Sequence, residues 1–274
     1  MKKILYIVSL ITFLSLTSCE EVVDLKLDTA PAKLVIDASI DWEKGTTGNE
    51  QTIKLSTTTG YYSNVIPSVS GATVFVTNSS NTVFNFIEDV PNSGNYNCTT
   101  FAPVLGDTYV LTVNYAGQTY TGSEKMIAVP DIANVTQRND AGFSGEDIEV
   151  KFFFQDNPLE NNSYLTRYKT PVKAFPEFEA FDDRFEQGNL MFGLYSNEDL
   201  KAGDTIDYTL HGISKQYFNY MRILLGNAGT AGGSPFQTPP ATVRGNMVNQ
   251  TNETKYCLGY FRVCEVVKTQ YVVQ

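Results

Sequence analysis

From residue 33 onward, apolar and polar positions alternate in short stretches. Lys33 to Ile40 sets Leu34, Ile36, Ala38 and Ile40 on one face, the period-two pattern of a half-buried strand. Gln51–Ser56 follows with Ile53 and Leu55, Ala72–Thr77 with Val74 and Val76, and Thr82–Ile87 with its phenylalanines. Thr108–Tyr115 places Tyr109, Leu111, Val113 and Tyr115 together, and Gln118–Gly122 centres on Tyr120. Turn-forming residues separate these runs: Asn49, Ser70-Gly71, Asn78–Asn81, Ser93-Gly94, Gly106-Asp107 and Ala116-Gly117. About seven short strands within roughly 100 residues is the pattern of an immunoglobulin-like sandwich, here expected over residues 33–129.

Val129-Pro130-Asp131 reads as a boundary, and a second β-rich domain is expected over 130–274. Its runs are Ile148–Phe154, Tyr164–Lys169, Asn189–Tyr195, Thr205–Leu210, Gly259–Val263 and Val266–Val273. Phe175–Glu186 mixes Phe with acids and reads as a loop or exposed ribbon. One short amphipathic helix is expected at 215–225, capped by Ser214 and stopped by Gly226. Ile213, Tyr217, Tyr220, Met221 and Leu224 form its apolar face. A helix this short must pack on a sheet to persist. Residues 226–246, rich in Gly and Pro, read as a long loop, and such loops are often functional. The fold class is therefore all-β, with two β-rich domains and one helix.

The first residues have a different pattern. Met1-Lys2-Lys3 is followed by an apolar run from Ile4 to Leu14 and then Leu16-Thr17-Ser18-Cys19. That run is too short to span about 30 Å of hydrocarbon, so it reads as an export signal over residues 1–18. Leu-Thr-Ser-Cys resembles a bacterial lipobox, which implies lipidation of Cys19 and a tether over 19–32. Two or three acyl chains hold a protein at a membrane where one does so only marginally. Glu20-Glu21, just after the anchor, resembles a surface-export signal of Bacteroidota lipoproteins and favours an outward-facing protein.

Charge narrows the field. The chain carries 20 Lys and Arg, 30 Asp and Glu, and one His, a net charge of −10. Removing the leader takes away Lys2 and Lys3 and makes the chain more acidic. A chain without a basic stretch does not bind nucleic acid by counterion release. With His211 alone, neither a His-based metal site nor a Ser–His or Cys–His nucleophile is expected, and His211 reads as structural or exposed. Asp156, Asn157, Glu160 and Asn161 could offer oxygens to calcium, but no Asp-x-Asp-x-Asp-Gly loop is present and an Asn-Pro turn is the simpler reading. Glu177, Glu179, Asp182, Asp183 and Glu186 are dense enough to consider carboxylate chemistry, but thirty acids in 274 residues make clusters by chance and a solvated acidic loop is the simpler reading. No cofactor is expected. Cys98, Cys257 and Cys264 remain after lipidation; Cys257–Cys264 is the candidate disulfide if a hairpin lies between them, and three buried thiols is the alternative. Trp42, Tyr61 and Tyr62 fall in expected loops, where aromatic rings serve as platforms for a glycan or peptide.

Four stretches carry a family resemblance. They are Leu16–Glu21 with Val22-Val23-Asp24-Leu25; Val69-Ser70-Gly71-Ala72-Thr73-Val74; Asp156-Asn157-Pro158 with Glu160-Asn161-Asn162-Ser163-Tyr164; and Pro235-Phe236 to Pro239-Pro240, with Gly245-Asn246 and Leu258-Gly259-Tyr260-Phe261. In this order they resemble a Bacteroidota lipoprotein family known as domain of unknown function 4249. The resemblance implies an outer-membrane lipoprotein, often encoded beside a TonB-dependent receptor, and implies no activity. The expected function is therefore a lipid-anchored binding or accessory subunit of a TonB-dependent nutrient transporter, not an enzyme. Tyr217, Tyr220, Pro235, Phe236, Pro239 and Pro240 are the expected partner contacts. A carboxylate-dependent surface hydrolase and a structural adhesin or assembly module are the alternatives.

Overall fold

The alternation read from the sequence decides where the first strands lie. In a computed structural model describing residues 30–60, 63–142, 145–229 and 243–274, β1 (Leu34–Glu43) buries Leu34, Ile36, Ala38 and Ile40. It turns Asp37, Ser39 and Asp41 to the opposite face. β2 (Gln51–Thr57), β3 (Thr73–Asn78), β4 (Val83–Phe86), β6 (Thr108–Tyr115) and β7 (Gln118–Lys125) lie where expected. Ala116 and Gly117 both have positive φ, 49° and 71°. This makes the two-residue turn that matches the twist of the β6–β7 hairpin.

Strands not foreseen complete the sheets. They are β5 (Asn95–Cys98), β8 (Ile132–Ala141), β14 (Val248–Asn249) and β11 (Glu177–Asp182), the last within the segment read as a loop or exposed ribbon. The remainder are β9 (Asp147–Gln155), β10 (Ser163–Lys169), β12 (Leu190–Asn197), β13 (Thr205–Ile213) and β15 (Leu258–Val272). The two C-terminal runs fuse into β15, a single strand of 15 residues.

Among the described residues the fold is all-β with one helix. Three sheets are present among the described residues, in the orders β11-β10-β13-β15-β1-β2-β5, β14-β7-β6-β3-β4 and β12-β9-β8. The large sheet is shared. One core contains Ile36, Ile53, Val76, Tyr109 and Leu111, residues of the large sheet and the five-stranded sheet. A second contains Phe152, Phe154, Tyr164, Tyr208 and Leu210, residues of the large sheet and the three-stranded sheet. β15 serves both cores, giving Phe261 and Val263 to the first and Val267 and Tyr271 to the second. It pairs parallel with β1, Val35 opposite Leu258, and antiparallel with β13, Leu210 opposite Val267.

This pairing runs across the expected boundary at residue 129/130. The core changes there, with Met126 in the first and Val129 in the second, but Ala32–Gln274 is one compact unit. The C-terminal segment returns to complete the first sandwich through β14 and β15. A parallel partner requires a long connection, so no local signal announced it.

Helix α1 (Lys215–Gly229) starts as expected. The Ser214 hydroxyl accepts from the Tyr217 amide at 3.1 Å, satisfying a donor the helix leaves open. It does not stop at Gly226 but runs to Gly229. Four residues of the expected face, Ile213, Tyr217, Tyr220 and Met221, pack inward together with Phe218 and Leu225; the fifth, Leu224, is exposed.

The candidate Cys257–Cys264 disulfide is not formed, and the alternative of three buried thiols holds. Cys98, Cys257 and Cys264 are buried free thiols. No hairpin separates Cys257 from Cys264; seven positions of extended chain place them about 23 Å apart. They also lie on opposite faces. Cys257 packs in the first core, while Cys264 contacts Asp41 on the other side of the sheet.

Candidate functional site

The Asp-Asn-Pro element noted in the sequence forms the turn between β9 and β10, and it is braced from inside. Asp156 is 1% exposed. One of its oxygens accepts from the Tyr164 hydroxyl at 2.6 Å, the other from the Gly188 amide at 2.7 Å. Burial, reinforced by this carboxylate, holds the Tyr164 hydroxyl protonated far above its usual range. Asp183 is likewise buried and accepts from the Asn162 amide at 2.6 Å. Gln187 donates to the carbonyls of Pro158 and Glu160. Turns 156–162 and 183–189 are thus laced together, and at their tips Leu159 and Phe185 are 87% and 91% exposed.

A cleft of about 470 Å³ opens beside this pair of turns. One wall carries Gln155, Asn157, Glu160 and Asn162; the other is the crossing segment Lys125–Pro130, with Leu105 at the rim. That segment is fixed in turn. Buried Glu265 accepts from the Val129 amide at 3.0 Å and its own amide donates to Ile127 at 2.9 Å, while Lys44 donates to the Val129 carbonyl. The Asn162 side-chain oxygen is shut off from solvent and has no hydrogen-bond partner.

A second polar cluster lies beneath α1. His211 is buried, with Nδ1 3.0 Å from the Leu165 carbonyl and Nε2 3.7 Å from Asp41. Arg262 pairs with Asp41 at 2.7 Å, and Cys264 bridges the two at 3.3 and 3.4 Å. Burial would raise the Asp41 pKa; the Arg262 guanidinium and the bonds from His211 and Cys264 outweigh it and hold the carboxyl well below the usual range. Burial pushes the Cys264 thiol far up, so it stays protonated and is no nucleophile. Tyr217 stacks with Tyr220 over this cluster and both rings pack at an angle against Tyr260, with Arg262 5.1 Å from the Tyr217 ring. Glu124 accepts from Ser214 and Tyr260, each at 3.0 Å. These groups seat the helix on the sheet.

Several expected site residues have structural roles instead. Tyr217 is buried and is not available to a partner. Trp42 is no open platform: its indole N–H donates to Thr46 at 2.9 Å, and its ring lies over Gly48, where a Cβ would approach within 2.5 Å. The acids of 177–186 do not converge. Glu177 accepts from Tyr195, Asp182 pairs with Lys215 and Arg184, and Asp183 holds Asn162. Asp156 is turned inward rather than toward an ion, and among the described residues no three His, Cys, Asp or Glu form a metal-holding group. Cys19, Tyr61, Tyr62, Pro235, Phe236, Pro239 and Pro240 lie outside the described residues. The braced turns were not anticipated as a site, although the motif that builds them was visible.

The sequence pattern of the family described as "Domain of unknown function (DUF4249)" matches residues 20–270. The chain belongs to this family. In this DUF4249 protein, the family-like Asp-Asn-Pro and Glu-Asn-Asn-Ser-Tyr pieces are the ones that brace the cleft. No curated protein matches the chain. Solved structures with some likeness include a two-domain fibronectin type III segment of chicken tenascin, at 12% identity over 60% of this chain and 85% of that one (TM-score 0.20). Others are a cytokine receptor complex, at 7% over 88% and 96% (0.24), and the FN1–FN3 domains of chicken CNTN1, at 11% over 66% and 63% (0.25). At such scores the likeness carries no argument, and the fold rests on its own sheet topology.

Proposed function

We propose that this DUF4249 protein is a lipid-anchored binding or accessory subunit at the outer membrane, serving a TonB-dependent nutrient transporter. The observation that carries a binding role is the use made of the carboxylates. Asp156, Asp182, Asp183 and Glu177 are each engaged in fixing loops and strands, and they present to solvent a cleft and two apolar tips. Preformed clefts with a few placed polar groups suit recognition; hydrolysis would need two free carboxylates across one cavity.

The anchor and the transporter rest on the sequence: Leu16-Thr17-Ser18-Cys19 and the family resemblance. A tether of about a dozen residues reaches at most ~45 Å. Confining both partners to one surface raises their effective concentration without new contacts. Leu159 and Phe185 replace Tyr217 as the expected contacts, because they are exposed and rigidly mounted.

Affinity purification of the tagged chain from its native membrane tests this. The chain is expected to carry the receptor with it. Cys19→Ala, which removes the anchor, and the pair Leu159→Asp and Phe185→Asp are each expected to lose the receptor. Retention of the receptor by the double variant refutes the contact. Absence of lipid on Cys19 by mass spectrometry refutes the anchor.

A further inference from the structure

We propose that the cleft between the two sandwiches binds a neutral saccharide of about disaccharide size. The inference deepens the binding role and rests on it. Its volume of about 470 Å³ lies in the ~300–1,000 Å³ range of small-ligand sites.

The chemistry of the walls selects the class. Gln155, whose NH2 donates to the Gly188 carbonyl, keeps its oxygen as an acceptor, and Asn157, whose oxygen accepts from the Leu159 amide, keeps its N–H donors; with Asn162 they match hydroxyl groups, which both donate and accept. Lys125 and Glu160 bring one positive and one negative charge to the two walls. Neither is in an ion pair among the described residues. Lys125 offers only donors and Glu160 only acceptors, and a hydroxyl complements either. The cleft is therefore charge-balanced in a chain of net charge −10, which disfavours both a polyanion and a polycation. Leu105 and Pro130 give apolar surface for the C–H face of a sugar ring. The Asn162 oxygen is out of solvent and unpartnered, and a carboxamide rotation that brought it to a ligand hydroxyl would supply the missing donor.

The walls are also prepared in advance. Asp156 and Asp183 fix one and Glu265 the other, so little ordering cost remains on binding.

The test is calorimetry and amide NMR on the mature chain, without receptor. Maltose, cellobiose, lactose and N,N′-diacetylchitobiose are the probes, with digalacturonate and triglycine as charged and peptide comparators. At least one neutral disaccharide is expected to bind at millimolar concentration or below, shifting the amides of Asn157, Glu160 and Asn162. Glu160→Ala and Lys125→Met, at exposed positions that do not threaten folding, are each expected to weaken it about tenfold, as loss of one ligand hydrogen bond does. The proposal is overturned if none of the four binds, if digalacturonate or triglycine binds more tightly, or if both variants bind as the parent does. Because no receptor is present, this result is independent of the purification above: sugar binding with no receptor contact sinks only the transporter role, and the reverse sinks only the saccharide.

Discussion

Replacing Asp156 should be among the costliest single changes outside the apolar cores. Asp156→Ala removes two charge-assisted hydrogen bonds, to the Tyr164 hydroxyl at 2.6 Å and the Gly188 amide at 2.7 Å. It leaves both donors in a site that is 1% exposed. Each stranded donor costs about 1–3 kcal/mol, and the lost side-chain volume adds to that. Discounting for the relaxation open to a surface turn, the expected loss is about 3–5 kcal/mol. For a chain of this size, 1 kcal/mol is worth roughly 2–4 °C, so the melting temperature should fall by about 6–20 °C. Asp156→Asn keeps the shape and one acceptor and should cost about half as much. Urea unfolding of both variants measures the loss.

A double-mutant cycle separates mechanism from mere damage. Tyr164→Phe removes the hydroxyl partner alone. If the carboxylate acts by holding that hydroxyl, Asp156→Ala and Tyr164→Phe should couple by about 1–2 kcal/mol, within the range for direct contacts. Additivity of the two changes, or a loss below about 0.5 kcal/mol for Asp156→Ala, refutes the bracing role. Survival of proteolysis in the 183–189 turn of the variant would refute it too, since the Gly188 bond is what that carboxylate contributes to the turn.

Burial pushes the Cys257 thiol up to about 11 and the Cys264 thiol further, so both should resist a thiol reagent until the protein unfolds; a disulfide found by non-reducing peptide mapping would refute the free-thiol arrangement. At Gly193 an added Cβ would meet the Tyr208 and Tyr168 hydroxyls at 2.6 and 2.7 Å, so Gly193→Ala should destabilise by about 1–3 kcal/mol, and an unchanged unfolding midpoint would contradict that packing. Burial, opposed by its bonds from Ser214 and Tyr260, raises the Glu124 pKa above its ordinary 4.5. The folded state therefore holds a proton that the unfolded state has lost, and stability falls as pH rises from about 4.5 toward the folded pKa. Glu124→Gln should remove that part of the decline, and parallel stability–pH curves for parent and variant would show that Glu124 does not contribute.

Strands with one clean apolar face were legible in the sequence. β1 and β6 alternate without interruption, and Ser214 announced α1. β5 was missed because Asn95 and Asn97 are turn formers that here occupy its solvent face. β8 was missed because its outward positions are Asn, Thr and Arg around few large apolar residues. Phe and acids alternate along β11, a pattern that an edge strand tolerates and a loop shares. The helix face was read largely as it packs, with Ile213, Tyr217, Tyr220 and Met221 inward, but Leu224 was named where Phe218 and Leu225 take the remaining places. The parallel pairing of β1 with β15 joins chain segments more than 200 residues apart, and no local period carries that information. At the site, the acids of 156–162 stood out as oxygen donors. Spacing alone does not reveal which way a carboxylate points, and Asp156 points inward.

That inward turn gives the family-like motif a physical reading. A chain that belongs to a family defined by sequence alone, with an Asp-Asn-Pro turn and a Glu-Asn-Asn-Ser-Tyr strand entry, uses Asp156 and Tyr164 as two halves of one bond. Between them the turn exposes Leu159 and Glu160, while Asn157 and Asn162 line the cleft. The braced positions are constrained by packing; the exposed ones are free to vary with a ligand. The lone His follows the same logic, because its ring is committed to the Leu165 carbonyl and the Asp41 side and so supports the seat of α1. Scarce reactive groups spent on scaffolding leave recognition to amides, one balanced pair of charges and two apolar tips. A specificity difference between relatives should therefore map to residues 157–160 and 185–187, and chimeras exchanging only those turns should exchange ligand preference while keeping the unfolding midpoint.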